Sequence, residues 1–345
     1  MKQSVLLILL FVSIDGTNAC TTFFIHFNGK MVFGRNYDWM ADDGMVCTNQ
    51  RGLVKTSMKM PDGNTISWIS RYGSITFNQY GKEFPTGGMN ESGLVVELMW
   101  LDATVYPEPD ERPSIGVLQW IQFQLDNYSS VEEVIKSDSL IRITSGGTPL
   151  HYLVADAKGR VAAIEFLDGK LNIHHGKDLP FPVLTNNTYD QSVNSHSHDG
   201  ANGNNSLERF SMACDMITKF KSYNAGKSLV DESFDILNSV GQGDYTKWSI
   251  VYDISEKKIW FQTQRFKQTR SISFATFDFS CPIPSKCINI NGKESGDISK
   301  QMSQFSKRIN QQILESATRK SSPRVTISRQ QISGILTYSD TIICK

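Results

Sequence analysis

The feature that most constrains this chain is its beginning. Lys2 precedes the apolar run Val5-Leu6-Leu7-Ile8-Leu9-Leu10-Phe11-Val12-Ser13-Ile14, and Asp15-Gly16-Thr17-Asn18-Ala19 follows. A positive head, a short apolar centre and small residues at Thr17 and Ala19 form the layout of an export signal cut after Ala19. A buried core strand is the alternative for such a run, but its place at the extreme N-terminus favours the signal. Cleavage there leaves Cys20 as the first residue. The segment after it, Thr21-Thr22-Phe23-Phe24-Ile25-His26-Phe27, is rich in β-branched and aromatic residues, which suit a pleated strand. Asn28-Gly29 separates it from a second apolar run, Lys30-Met31-Val32-Phe33-Gly34, and an Asn-Gly between two such runs predicts a hairpin. The chain is thus expected to present a cysteine at the head of a rigid strand.

A chain-terminal cysteine carries a thiol and an α-amine on neighbouring carbons. The amine titrates near ~7.7–8.0 and a free thiol near ~8.5, so the amine can take the thiol proton around neutral pH. The thiolate is the nucleophile and an adjacent base activates it, so one residue supplies both. The hairpin returns Gly34-Arg35-Asn36-Tyr37-Asp38 towards the head of the first strand. There Arg35 would favour thiolate over thiol, and Asp38 would hold the ammonium. An ordinary surface Arg–Asp pair is the plain alternative. Cys20 itself has three others: half of a structural disulfide, a lipidated cysteine, or an incidental residue with cleavage elsewhere.

Composition narrows the class. Lys and Arg number 35 against 35 Asp and Glu, so the formal net charge is zero, and no basic excess exists to bind nucleic acid through its phosphates. No stretch beyond the first twenty residues approaches the ~20 apolar residues of a membrane span, so none is expected in the mature chain. Strand patterns dominate residues 21–100 and 150–186. Helices are expected with Leu118, Ile121 and Leu125 on one stripe, at a Ser130–Glu133 capping box, from Ser206 along Phe210, Cys214 and Ile217, and over about 228–240. Residues 190–206 read as an exposed polar loop. Strands grouped at both ends around central helices predict an α+β fold in which two sheets sandwich and helices cover the outer faces. The expected organisation is a signal at 1–19, a catalytic domain at 20–288, and a polar linker with a partly helical extension at 289–345. In the last segment Ile298, Met302, Phe305, Ile309 and Ile313 fit an amphipathic helix, and the final 25 residues carry weak strand signal.

Cys20-Thr21-Thr22, Gly34-Arg35-Asn36-Tyr37-Asp38, Met89-Asn90-Glu91-Ser92-Gly93-Leu94, Leu184-Thr185-Asn186 and Glu208-Arg209-Phe210 occur in an order that resembles the choloylglycine hydrolase family. That family includes bile salt hydrolases and penicillin V acylases. The resemblance implies a four-layer αββα fold of N-terminal-nucleophile type and hydrolysis of linear amide C–N bonds. It implies that Cys20 is nucleophile and, through its amine, base. By the same likeness Arg35 holds the thiolate, Asp38 orients the cysteine, Asn186 donates to the oxyanion and Arg209 completes the charge network. Where bile salt hydrolases carry an asparagine near the oxyanion, and penicillin V acylases a tyrosine, this sequence has Trp100, an indole N–H donor or an apolar wall.

The substrate expected is a small amide with an apolar acyl group: a bile salt, penicillin V, an acyl homoserine lactone or another N-acyl amide. A location outside the cytoplasm is expected, in a periplasm, in the medium or along a secretory route. By analogy with the family a homo-oligomer is open. The other classes considered are an envelope-anchored binding or scaffold lipoprotein carrying lipid on Cys20, and a non-catalytic relative. Neither cofactor nor metal is expected: no Cys-x-x-Cys or His-Glu-x-x-His occurs, and His174-His175 and His196-Ser197-His198-Asp199 read as solvated loop residues. Cys281 and Cys287 bracket a short Pro-rich loop and suggest a disulfide; with Cys20 free, at least one of Cys47, Cys214 and Cys344 is then expected to be unpaired or to bridge chains.

Overall fold

A computed structural model describes residues 20–197, 205–222 and 226–345. The proposed signal at 1–19, together with His198 and Asp199, lies outside the described residues.

The hairpin forms where the Asn-Gly predicts it. Strand β1 (Thr21–Phe27) pairs antiparallel with β2 (Lys30–Asp38), with Phe27 opposite Lys30. Asn28 and Gly29 both take positive φ, 50° and 75°, as a tight primed turn requires. The pairing puts Thr22 opposite Arg35 and Thr21 opposite Asn36, so the far end of β2 lies beside Cys20. One glycine on this hairpin has a steric reason: a Cβ on Gly34 would run into the ring of Phe23 directly across the pair.

The hairpin lies in a seven-stranded sheet. Its order is Val183–Leu184, β1, β2, Thr246–Asp253, Lys258–Thr263, Arg270–Ser273 and Gly296–Asp297. A nine-stranded sheet faces it, with Val95–Trp100 and Pro85–Asn90 near its middle. Side chains from both meet in one apolar layer. Phe77 of the larger sheet stacks edge-on against Tyr252 and Phe261 of the smaller, at 6.0 and 5.8 Å between ring centres, a favourable arrangement for aromatic pairs. Helices cover the outsides. Helix α1 (Val117–Asn127) packs on the larger sheet over a second apolar layer, which α2 (Val131–Lys136) joins. Further along, α3 (Tyr189–Ser197), α4 (Asn205–Ser222) and α5 (Leu229–Ser239) cover the smaller sheet. The layers run helix, sheet, sheet, helix, the αββα order. No described helix is long and apolar enough to cross a membrane.

Three readings of the sequence need correction. Residues 190–197 are helical, because Tyr189 and Ser192 are buried and Tyr189 meets Phe210 edge-on; His196, expected as a solvated loop residue, lies on this helix with its ring edge-on to Phe181 at 4.8 Å. His174 is a packed strand residue whose ring lies 4.7 Å from that of Tyr189. The expected Cys281–Cys287 bond is absent, replaced by Cys47–Cys287 and Cys281–Cys344. Cys47 and Cys287 are direct cross-strand partners, a relation that proximity in sequence does not show. Cys214 is unpaired and buried.

Residues 289–345 hold more order than their polarity suggests. Gly296–Asp297 and Ser303–Gln304 extend the two sheets, so of the expected helical stripe only Ile309 and Ile313 are helical, within α6 (Lys307–Ser321). A final helix, α7 (Arg329–Tyr338), precedes a short strand, Ile343–Cys344, which pairs with Leu53–Thr56.

Candidate active site

Cys20 stands at the head of β1, 4% exposed, on the wall of a cavity of about 480 Å3, within the size range of small-molecule sites. Its thiol points at the main-chain oxygen of Asp38, 3.8 Å away. Burial pushes the thiol pKa up; Arg35 and Arg209 pull it back towards thiolate, and the Asp38 carboxylate opposes them.

Arg209, from the first turns of α4, ties the site together. Its guanidinium donates to the Cys20 carbonyl at 2.7 Å, to the Thr21 hydroxyl at 2.6 Å and to Asn186 Oδ1 at 3.2 Å. Asn186 follows the strand Val183–Leu184, which pairs with β1. Its side-chain NH2 donates to the Trp100 carbonyl at 2.8 Å, and its main-chain N–H donates to Ser206 Oγ at 2.9 Å. With both ends of the amide engaged, Asn186 has one orientation, and its second N–H is left for another acceptor.

Asp38 ends β2, and its side chain is fully buried. The Thr246 hydroxyl lies alongside, yet neither carboxylate oxygen completes a well-formed hydrogen bond. Burial lifts this carboxyl to about 7 despite Thr246, Arg209 and Arg35. An under-satisfied buried carboxylate is costly in an ordinary core, and here its charge acts on the thiol of a candidate nucleophile.

Arg35 has a partner that the sequence reading missed. Glu97, from the facing sheet, forms a buried ion pair with it and accepts from the Tyr252 hydroxyl. Arg35 also donates to the carbonyls of Thr86 and Leu98, each at 3.1 Å, and its guanidinium lies 4.6 Å from the Tyr37 ring centre. Burial raises the Glu97 carboxyl to about 7, with Arg35 working against the rise. Gly87, opposite Glu97 in the sheet, is what admits this carboxylate: a Cβ there would occupy its place. The available signal was a lone Glu inside the otherwise apolar run Val95-Val96-Glu97-Leu98, since a buried charge needs a partner.

Trp100 lies on the cavity wall. Its ring stacks on Trp39 at 5.8 Å, while its indole N–H donates to Asp102 at 2.5 Å. A second buried pair backs Asn186: His151 Nε2 lies 2.7 Å from the Thr185 carbonyl, and Nδ1 lies 3.0 Å from Glu165. His151 thereby bridges Glu165 and the main chain just before Asn186. Among the described residues no three His, Cys, Asp or Glu side chains cluster as a metal site.

The structure thus brings Cys20, Arg35, Asp38, Asn186 and Arg209 together at one end of a cavity that Trp100 helps to line. Cys20 heads a strand of one of two packed sheets, with Arg35 and Arg209 acting on its thiol, in an αββα architecture. Residues 20–228 match the family model for linear amide C–N hydrolases, choloylglycine hydrolase family, and the chain belongs to that family. It is 30% identical over 229 residues to penicillin V acylase of Pectobacterium atrosepticum, a match covering 59% of each chain. It is 27% identical over 185 residues to the bile salt hydrolase/transferase of Clostridium perfringens, covering 48% of this chain and 53% of that one. The chain therefore spans between half and three-fifths of these curated relatives. The structure of penicillin V acylase from Agrobacterium tumefaciens superimposes with a TM-score of 0.71 at 26% identity, covering 83% of this chain and 98% of the other. A variant of conjugated bile acid hydrolase from Clostridium perfringens gives 0.66 at 18% identity, over 80% and 98%, a likeness of fold.

Proposed function

We propose that this protein is an exported amidase that cleaves linear N-acyl amides through Cys20, uncovered as the N-terminal residue by removal of residues 1–19. The carrying observation is the three-way grip of Arg209 on the Cys20 carbonyl, Thr21 and Asn186. That grip fixes a thiol and an amide donor relative to each other beside an apolar cavity.

In this reading the Cys20 amine takes the thiol proton, and the resulting ammonium is held by the Asp38 carboxylate. The thiolate attacks the acyl carbonyl. The free N–H of Asn186 receives the negative oxygen, an interaction that in comparable sites lowers the barrier by about 2.7–4 kcal/mol. The C–N bond breaks as the ammonium returns its proton to the departing nitrogen, leaving a thioester on Cys20. Water, deprotonated by the amine, then attacks the thioester and releases the carboxylic acid and the thiol. The aromatic and aliphatic lining supports an apolar acyl group, the class to which penicillin V, bile salts, acyl homoserine lactones and other fatty amides belong. Export is supported by the two disulfides, which persist in oxidising compartments. A thiol buried at the cavity wall favours this reading over a lipid anchor on Cys20.

Intact-mass and N-terminal sequencing of exported material is expected to start at unmodified Cys20. Trapping with an acyl amide is expected to add one acyl group to that residue. A diacylglyceryl increment, an adduct elsewhere, or turnover surviving Cys20→Ala would overturn the proposal.

A further inference from the structure

The cavity beside Cys20 is not walled by residues 20–228 alone. Val325, Thr326, Ile327, Gln331 and Ile335, all from the C-terminal segment, line it together with Met58, Met60 and Leu118. This segment is fastened before and after the wall. At its start, Ser321 at the end of α6 accepts from the Trp39 indole at 3.0 Å and bonds the Tyr80 hydroxyl at 2.7 Å. Arg324 lies 4.3 Å over the Trp100 ring. Trp39, Tyr80 and Trp100 line the same cavity, so the segment grips the site itself.

Past the wall, Tyr338 packs edge-on against Phe84 at 5.4 Å, and Ile335 fills the space that the absent side chain of Gly81 leaves. The chain then pairs with Leu53–Thr56 and is closed by Cys281–Cys344. These later fastenings touch none of Cys20, Arg35, Asp38, Asn186 and Arg209. The surface they bring to the cavity sets the branched aliphatic side chains of Val325, Ile327 and Ile335 beside Thr326 and Gln331, and Met58 and Met60 line the same cavity. The aliphatic part of such a lining suits a flexible hydrocarbon chain, because methionine adapts to irregular shapes.

We propose that residues 325–335 are the specificity wall of this site, with Ile327 and Ile335 limiting the length of a straight aliphatic acyl chain. The proposal rests on the amidase reading for its substrate, whereas the wall is carried by the lining itself. Its consequence is that acyl preference resides in a stretch outside the part of the chain that matches the family model.

The test uses the full exported chain and a series of straight-chain acyl p-nitroanilides from acetyl to hexadecanoyl. Ile335→Trp and Ile327→Trp are expected to lower the ratio of long-chain to short-chain kcat/KM by about tenfold or more, the scale on which a few methylenes are discriminated. The loss should lie in KM more than in kcat. Cys344→Ser, which loosens one fastening without touching the cavity, is expected to flatten the profile. In parallel, binding of the fluorescent fatty acid cis-parinaric acid to Cys20→Ala protein is measured with and without Ile335→Trp, and weaker binding in the double variant is expected. Chain-length ratios and fatty-acid affinity both unmoved in folded tryptophan variants would overturn the wall. Loss of all hydrolysis with fatty-acid binding still sensitive to Ile335 would overturn the amidase reading and leave the wall standing.

Discussion

Asp38 is the residue through which pH should act on the site. Its carboxyl is raised to about 7 by burial, so the anion proposed to hold the Cys20 ammonium disappears as the pH falls. For an acyl amide, kcat/KM is expected to fall towards about one-tenth per pH unit on the acid side of a midpoint at or somewhat below 7. Asp38→Asn should remove that limb and lower the rate throughout; an unchanged limb in the variant would contradict the assignment. The same shift has a stability sign. An acid whose folded pKa exceeds its unfolded value contributes stability that is complete below about pH 4 and is lost as the pH rises through about 7. In the uncut chain, where no ammonium faces the carboxylate, Asp38→Asn should therefore raise the melting temperature at about pH 8 and leave it nearly unchanged at about pH 4. An equal shift at both values would refute the burial argument. Arg209 makes a different demand, since its planar fork reaches three acceptors that a lysine cannot span. Arg209→Lys should free Asn186 and cost about 10²–10³ in kcat, as loss of an oxyanion donor does; Asn186→Ala, measured in the same assay, should fall in that range too.

At the scale of elements, the β1–β2 hairpin could be read directly, because Asn28-Gly29 sets its register and register alone brings Arg35 and Asp38 near Cys20. Helices α1, α2, α4 and α5 likewise follow from spacing and caps; Ser130 accepts from the Glu133 N–H at the start of α2. The Glu97 strand was legible as a strand, but its partner belongs to another sheet, and no local pattern announces that. Gly87 reports the same packing from the opposite side. Gly87→Ala should expel the Glu97 carboxylate and strand a buried Arg35, a break that typically costs about 3–5 kcal/mol. Chemical denaturation would show it, and a variant as stable as the parent would mean that Glu97 has somewhere else to go. Helix α3 escaped detection because seven of its nine residues are polar or charged and only Tyr189 and Val193 give it an apolar hold; the tertiary surface of α4 supplies what its own periodicity lacks.

Across the whole molecule, the two disulfides join segments 240 and 63 residues apart. Cys47–Cys287 ties a late part of the chain to an early one, and Cys281–Cys344 closes the C-terminal segment on itself. In the loop-entropy picture closures of this size stabilise by about 4–5 kcal/mol each. Reduction of the folded protein should therefore lower its melting temperature markedly, and a Cys47→Ser/Cys287→Ser pair should reproduce part of the fall; indifference to reductant would show that these thiols are not bonded. By itself the sequence determined the elements whose signals are local: the opening hairpin, the helical stripes, the two-sheet class, and the order of motifs that marks the family. Tertiary structure alone decided which cysteines meet, that Glu97 answers Arg35, that Trp100 spends its N–H on Asp102, and that the last helix lines the cavity. The division is physical. A turn or a helical stripe is specified by neighbours along the chain, whereas a buried charge, a disulfide or a cavity wall is specified by which distant surfaces pack together.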